Sequence, residues 1–269
     1  MTVMDKKHTL SSIREMKANG ERIACLTAYD AGFAQILDEA GVDIMLVGDS
    51  LGMVVQGKES TLPVTVDEMV YHTCCVSQGN SHSFLLADMP FMSYPTPEQA
   101  VSNAGRLMKE GGAHGVKLEG GREIVAVVTR LAHAGIPVCA HLGLLPQSVN
   151  KYGGYRVQGR DPEQAQSIIE DAKALEKAGA DMLVLECIPR SLTEHIMAAV
   201  TIPVIGIGAG ASCDGQVLVL YDMLGVTKHK LPRFVKNFLV DADSISTAVE
   251  AYVQAVKTGD FPQQEHGYN

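Results

Sequence analysis

Short, continuous apolar runs alternate along this chain with longer polar segments. The runs lack the apolar–polar alternation of a strand with one solvated face, so they predict parallel strands covered on both faces. The expected strands lie at 23–26, 44–47, 84–87, 115–118, 138–140, 182–185, 204–207 and 234–239. The expected helices lie at 31–40, 66–78, 97–110, 123–134, 162–178, 192–200, 214–224 and 244–257. The chain is therefore predicted to consist of eight βα units.

Regular signals mark the ends of the predicted helices. A capping side chain stands three positions before Glu or Gln, which indicates a helix start, at Thr65, Thr96, Asp161 and Ser191. Glycine suits the C-terminal cap of a helix, and it follows predicted helices at Gly41, Gly111, Gly135 and Gly179. These signals support the order of the predicted elements.

Strict βα alternation favours a closed (βα)8 TIM barrel of the α/β class, with residues 1–269 forming one domain. A doubly wound open sheet is the alternative. An additional amphipathic helix at 10–17 precedes the first strand. We expect this helix to plug the N-terminal end of the barrel.

Composition narrows the class of partner. The formal net charge of -9 argues against nucleic acid or an anionic membrane, and favours a small molecule. No run is long enough to cross a bilayer, and the polar start at 1–9 does not resemble a signal sequence, so a cytoplasmic protein is expected. The six cysteines include no C-x-x-C pair and are interpreted as reduced core thiols.

Four predicted strands end at a carboxylate, and this recurrence indicates a shared site. The acids are Asp49, Asp88, Glu119 and Glu186. Because the C-terminal ends of all strands converge in a barrel, these acids are expected to face one pocket. Alternation along a strand places Lys117 on the same face as Glu119, and His141 on the same face as Cys139.

Four carboxylates beside one lysine leave excess negative charge in a partly desolvated pocket. A divalent cation would offset it, and all-oxygen ligands favour Mg²⁺ over zinc. Each acid could instead cap a helix or lie in a solvated loop.

Two loops each have two interpretations. The glycine-rich loop at 206–210 could bind a phosphate through its backbone amides or could form a tight turn. The polar loop at 151–160 could be a lid over the barrel or a flexible connection.

Five motifs resemble one enzyme family, that of ketopantoate hydroxymethyltransferase. They are GDSLGMVVQG at 48–57, ADMPFMSY at 87–94, GVKLEG at 115–120, AHLGLLPQ at 140–147 and IGIGAG at 205–210. The resemblance runs from about residue 9 to 262, and no motif position departs from the family pattern.

The resemblance implies a barrel of the phosphoenolpyruvate/pyruvate superfamily. It also implies transfer of a hydroxymethyl group from 5,10-methylenetetrahydrofolate to 3-methyl-2-oxobutanoate. The product would be 2-dehydropantoate, on the route to pantothenate and coenzyme A. A homodecamer is implied by the resemblance alone.

The resemblance further assigns roles to residues of the pocket. Mg²⁺ would be held by Asp49, Asp88 and Glu119, the last directly or through water. Substrate contacts would be Asp49, Ser50, Asp88 and Lys117. Glu186 would be the general base. His141 is a possible accessory residue whose role the sequence leaves open.

Two other functions compete with this interpretation. A Mg²⁺-dependent lyase or mutase of the same superfamily would also bind a 2-oxo acid, but such enzymes commonly use a lid cysteine and none lies at 151–160. A barrel that only binds a metabolite, with its acids as structural caps, is the non-enzymatic alternative.

Overall fold

A computed structural model describes residues 7–228 and 230–269, and it confirms the predicted barrel. Residues 1–6, part of the polar start that argued against a signal sequence, lie outside the described residues. The strands pair in parallel, each with its neighbour in sequence, and β8 closes the barrel on β1. The strands are β1 (Ile23–Thr27), β2 (Ile44–Val47), β3 (Phe84–Asp88), β4 (Gly115–Glu119), β5 (Val138–Gly143), β6 (Met182–Glu186), β7 (Val204–Ile207) and β8 (Gly215–Leu218).

Helices surround this barrel. They are α1 (Leu10–Ala18), α2 (Ala31–Glu39), α3 (Leu51–Val54), α4 (Val66–Gly79), α5 (Pro97–Lys109), α6 (Val125–His133), α7 (Val149–Tyr152), α8 (Pro162–Ala178), α9 (Arg190–Ala199), α10 (Leu220–Met223) and α11 (Ile245–Thr258). Among the described residues, no helix is both long and apolar enough to cross a membrane.

Most of the predicted helix starts are formed by the expected caps. The Thr65 and Thr96 hydroxyls and the Asp161 carboxylate accept hydrogen bonds from backbone amides of α4, α5 and α8. The start predicted at Ser191 is wrong, because α9 begins at Arg190 and has Pro189 at its N-cap. The Arg190 backbone amide donates instead to the carbonyl oxygen of Tyr268 at 3.1 Å.

The last βα unit differs from the prediction. The eighth strand is β8, inside the segment predicted as a helix at 214–224, of which only α10 is helical. A Cβ on Gly215 would lie 2.4 Å from the Ile23 carbonyl oxygen, so glycine permits the close approach of β8 to β1. The run at 234–239 is not a strand; Phe238 packs against Tyr252 outside the barrel.

Helix α1 closes the N-terminal end of the barrel, as expected. Ile13 is fully buried. Arg14 pairs with Asp181, just before β6, and Lys17 pairs with Asp214, just before β8. The helix therefore connects the starts of β6 and β8.

The cysteine interpretation is only partly right. Cys25, Cys139, Cys187 and Cys213 are buried free thiols. Cys74 is exposed on α4, so it is not a core thiol.

Candidate active site

The structure brings the predicted acids together at the C-terminal end of the barrel. Asp49, Asp88 and Glu119 follow or end the neighbouring strands β2, β3 and β4, and all are buried. The strand register aligns Asp88 with Lys117, and Glu119 with His141. These side chains lose their hydration, so they must be stabilised by one another or by a ligand.

Lys117 supplies the positive charge of this cluster. Its Nζ lies 2.8 Å from Oδ1 of Asp88. Burial would lower the pKa of Lys117, but the charges of Asp88 and then Glu119 raise it above the ordinary value. Lys117 is therefore an ammonium group at neutral pH, fixed beside a carboxylate.

The remaining acids leave negative charge uncompensated. Burial and then the charge of Asp88 raise the pKa of Asp49, and burial raises the pKa of Glu119. The Asp49 backbone amide donates to Oδ2 of Asp88 at 3.1 Å, which links the ends of β2 and β3. Such a site favours any cation that can share these oxygens.

The residues fit Mg²⁺ by the chemistry of their donors. Among residues 7–228 and 230–269, no group of three or more His, Cys, Asp or Glu side chains forms a ready metal shell. Mg²⁺ in proteins commonly takes only one or two carboxylates, and water or substrate oxygens fill the other positions. Asp49 and Asp88 on adjacent strand ends provide that minimal set, with Glu119 on the next strand.

Glu186 forms a separate pair with His141. His141 Nε2 lies 3.2 Å from Oε2 of Glu186. Burial raises the pKa of Glu186 to about 7, and burial together with Lys117 holds the pKa of His141 well below its usual range. His141 Nδ1 lies 3.3 Å from Lys117 Nζ, so a neutral His141 accepts a hydrogen bond there. Its buried Nε2 lies near Glu186 but makes no hydrogen bond to any residue that the structure describes.

Ser50 lies beside Asp49 and contacts Tyr29. Its Oγ is 2.8 Å from the Tyr29 hydroxyl. Although Ser50 is at the N-cap position of α3, its side chain makes no capping hydrogen bond. Ser50 therefore does not cap α3, and its hydroxyl pairs with that of Tyr29 instead.

Sequence reasoning missed two neutral residues of the site, Gln147 and Tyr94. The Gln147 side chain donates to Oδ2 of Asp49 at 2.8 Å, and the Tyr94 hydroxyl donates to Gln147 Oε1 at 2.6 Å. Each is the final residue of a motif quoted above. The acids and the lysine were identified because a buried charge needs a partner, and this argument does not apply to an uncharged side chain. Only their places at the ends of two motifs could have indicated Gln147 and Tyr94.

Two loops complete the surroundings. Tyr155, in the 151–160 loop, donates its hydroxyl to Sδ of Met53 at 3.5 Å, and burial and then the charge of Glu186 raise its pKa. The loop thus lies over the mouth of the barrel. In the 206–210 loop, a Cβ on Gly208 or Gly210 would meet protein side chains within 3 Å. Tight packing therefore explains these glycines without a phosphate.

Similar solved structures show the same fold. A 2,3-dimethylmalate lyase of the PEP mutase/isocitrate lyase superfamily superposes with a TM-score of 0.57 at 18% identity, covering 81% of both chains. A phosphoenolpyruvate phosphomutase from Streptomyces platensis subsp. rosaceus superposes with a TM-score of 0.61 at 13% identity, covering 81% of this chain and 83% of that one.

Sequence comparison is more specific. The chain is 60% identical over 260 residues to 3-methyl-2-oxobutanoate hydroxymethyltransferase of Nitrosococcus oceani, covering 97% of this chain and 98% of the relative. It is 57% identical over 274 residues to the enzyme of the same name from Halorhodospira halophila, covering 100% and 99%. A family model described as ketopantoate hydroxymethyltransferase matches residues 7–264. The chain belongs to the ketopantoate hydroxymethyltransferase family.

Proposed function

We propose that this protein transfers a hydroxymethyl group from 5,10-methylenetetrahydrofolate to 3-methyl-2-oxobutanoate and forms 2-dehydropantoate for pantothenate synthesis. The observation that carries the proposal is the pairing of Lys117 with Asp88, beside Asp49, at the C-terminal strand ends. A fixed ammonium group next to carboxylates that suit Mg²⁺ can receive the two adjacent oxygens of a 2-oxo acid. Family membership supports the identity of both substrates.

The substrate would be held mainly by charge. Asp49 and Asp88 would hold Mg²⁺, with Glu119 directly or through water. When bound there, Mg²⁺ would supply Lewis acidity that polarises the 2-oxo group and acidifies the neighbouring C3–H bond. Lys117 would stabilise the negative charge that develops on the keto oxygen. The Ser50 hydroxyl would donate to the substrate carboxylate.

Glu186 would act as the general base. Its carboxylate takes the proton from C3, and the electron pair of that bond forms the new carbon–carbon bond to the folate methylene group. Both bonds from the methylene carbon to the two folate nitrogens break: the new carbon–carbon bond replaces one, and a bond to the oxygen of water, which becomes the product hydroxyl group, replaces the other. The proton from C3 and one proton of the water pass to the two folate nitrogens, giving tetrahydrofolate. The pKa near 7 suits proton transfer at neutral pH. His141 would lie beside the base, with its Nε2 3.2 Å from Oε2 of Glu186.

We further propose that residues 1–269 act as one catalytic domain, in a cytoplasmic homodecamer whose partners are small molecules rather than nucleic acid or membranes. The lyase and mutase alternative is supported only by fold similarity at 13–18% identity. A barrel without catalysis would not account for a basic carboxylate, Glu186, held against a neutral histidine.

The test measures 2-dehydropantoate by mass spectrometry after incubation of the protein with both substrates. We expect product with Mg²⁺, loss of product after complete chelation, and recovery when Mg²⁺ is restored. Glu186→Gln is expected to bind the 2-oxo acid but to lower kcat by at least about 100-fold. Absence of product from the wild-type protein, or full turnover without metal, would contradict the proposal.

A further inference from the structure

Gln147 reaches across the mouth of the barrel. It lies in the loop after β5, on a short 3-10 turn spanning Pro146–Ser148, and it is buried. Its side-chain Nε2 donates to Oδ2 of Asp49 at 2.8 Å and to the backbone carbonyl of Met89 at 2.9 Å. One neutral side chain from the β5 loop thus contacts the residues that follow β2 and β3.

The same residue also holds Glu119. The backbone amide of Gln147 donates to Oε2 of Glu119 at 2.9 Å. One oxygen of Asp49 and one oxygen of Glu119 are therefore fixed by two donors of a single residue. Hydrogen bonds from neutral donors restrain a carboxylate without cancelling its charge, so the acids keep their attraction for a cation.

The orientation of the Gln147 amide is determined by its partners. Both partners of Nε2 are acceptors, and the Tyr94 hydroxyl donates to Oε1 at 2.6 Å. A flipped amide would set an oxygen against the Asp49 carboxylate and lose these bonds. Tyr94 is itself fixed, because its hydroxyl oxygen accepts from the backbone amide of Glu119 at 3.3 Å.

We infer that Gln147 is a positioning residue for the cation site, and that Tyr94 fixes the orientation of Gln147. Gln147 presets the separation of Asp49 and Glu119, which extend from nonadjacent strands. The inference rests on the proposed function, because it assumes that these carboxylates bind a divalent cation. It predicts that cation affinity depends on two residues that do not contact the ion.

The test titrates the metal-free protein with Mn²⁺ in the absence of both substrates. Electron paramagnetic resonance measures the free Mn²⁺ at each step and gives the Kd. Gln147→Met removes the amide at similar volume, and we expect the Kd for Mn²⁺ to rise by about 10- to 100-fold. Tyr94→Phe keeps the ring and removes the hydroxyl, and we expect a smaller rise of about 2- to 10-fold.

Gln216→Met is the matched control. Gln216 is also buried, but its Nε2 donates to the backbone carbonyl of Gly210 rather than to a carboxylate. We expect this variant to bind Mn²⁺ as the wild-type protein does, so a general effect of losing a buried amide can be separated from loss of positioning.

The outcomes separate the two proposals. If the wild-type protein binds no Mn²⁺, both the proposed cation site and the role of Gln147 are overturned. If the wild-type protein binds Mn²⁺ and folded Gln147→Met binds it equally well, only the role of Gln147 is overturned. If Gln147→Met does not fold, Tyr94→Phe decides: an unchanged Kd overturns the inference and a raised Kd supports it.

Discussion

At the scale of single residues, Lys117 is expected to contribute both to the folding stability of the protein and to catalysis. Its substitution by Met would leave Asp88 buried without its cation. We expect unfolding free energy to fall by about 3–5 kcal/mol, and kcat/KM to fall by at least about 100-fold because stabilisation of the keto oxygen is lost. Chemical denaturation and steady-state kinetics measure the two effects.

Lys17→Met serves as the control for that prediction. The Lys17–Asp214 pair lies at the opposite end of the barrel and is partly exposed. Its loss should lower the unfolding free energy by only about 1 kcal/mol and leave kcat/KM unchanged. Equal activity losses in the two lysine variants would argue against a specific role for Lys117.

Glu186 is expected to make stability depend on pH. Burial raises its pKa from 4.5 to about 7 in the folded protein, so the folded state binds the extra proton between these values. Its favourable contribution is complete below pH 4.5 and is lost as pH rises through about 7. Glu186→Gln should therefore be more stable than wild type at pH 8, by about 3 kcal/mol or about 6–12 °C in Tm.

Thermal unfolding across pH checks this prediction. The difference in Tm should shrink as the pH is lowered from 8 to 5.5, because wild-type Glu186 then takes up its proton. A Tm difference that is constant over this range would show that the pKa of Glu186 is not raised in the folded protein.

The raised pKa of Glu186 also gives a kinetic prediction. We expect wild-type kcat/KM to rise with pH through about 7, because the base must be ionised to accept a proton.

The charged residues of the site could be predicted because a charge inside an apolar run needs a partner. Lys117, Asp88 and Glu119 meet that condition and do lie together. Gln147 and Tyr94 could not be identified in this way. Their importance arises from hydrogen-bond directions across the barrel, which no local pattern encodes.

At the scale of elements, the packing of β5 against β6 sets the position of Glu186. Gly143 has a φ of +95°, and a Cβ there would lie 2.2 Å from the Glu186 carbonyl oxygen. Gly143→Ala should therefore displace the end of β6 and lower kcat by at least about 10-fold. We also expect the unfolding free energy to fall by about 2–4 kcal/mol.

Gly135→Ala controls for backbone strain alone. Gly135 also has a positive φ, +76°, but a Cβ there would meet no atom within 4 Å. We expect a stability loss of about 1–2 kcal/mol and unchanged kcat. Kinetics and denaturation of both variants distinguish displacement of Glu186 from strain, and equal kcat values in the two would refute the argument.

The element that sequence reasoning misplaced is the last strand. Strand β8 has only four residues and begins with glycine, so its apolar pattern is short. The longer apolar run at 234–239 was therefore predicted as the last strand instead. The close contact of Gly215 with Ile23 depends on barrel closure, which joins the first and last strands. Such long-range constraints are absent from a local pattern.

At the scale of the whole molecule, the repeated βα pattern was sufficient to predict a closed barrel, because each strand pairs with its neighbour in sequence. The position of α1 could also be predicted from its place before β1 and its amphipathic pattern. The assembly of several chains is not encoded in these intrachain contacts, and the decamer stays a prediction.

Helix α1 covers the N-terminal end of the barrel, so both substrates of the proposed site are expected to enter from the opposite end, where the strand ends carry the acids. Under the proposed function, the small 2-oxo acid must then arrive before the bulky folate, and tetrahydrofolate must depart before the new acid. Product-inhibition kinetics should show 2-dehydropantoate competing with 3-methyl-2-oxobutanoate, and tetrahydrofolate acting as a mixed inhibitor against its methylene form. Competitive inhibition by tetrahydrofolate against 5,10-methylenetetrahydrofolate would contradict this order of binding and release, in which the folate binds second and leaves first.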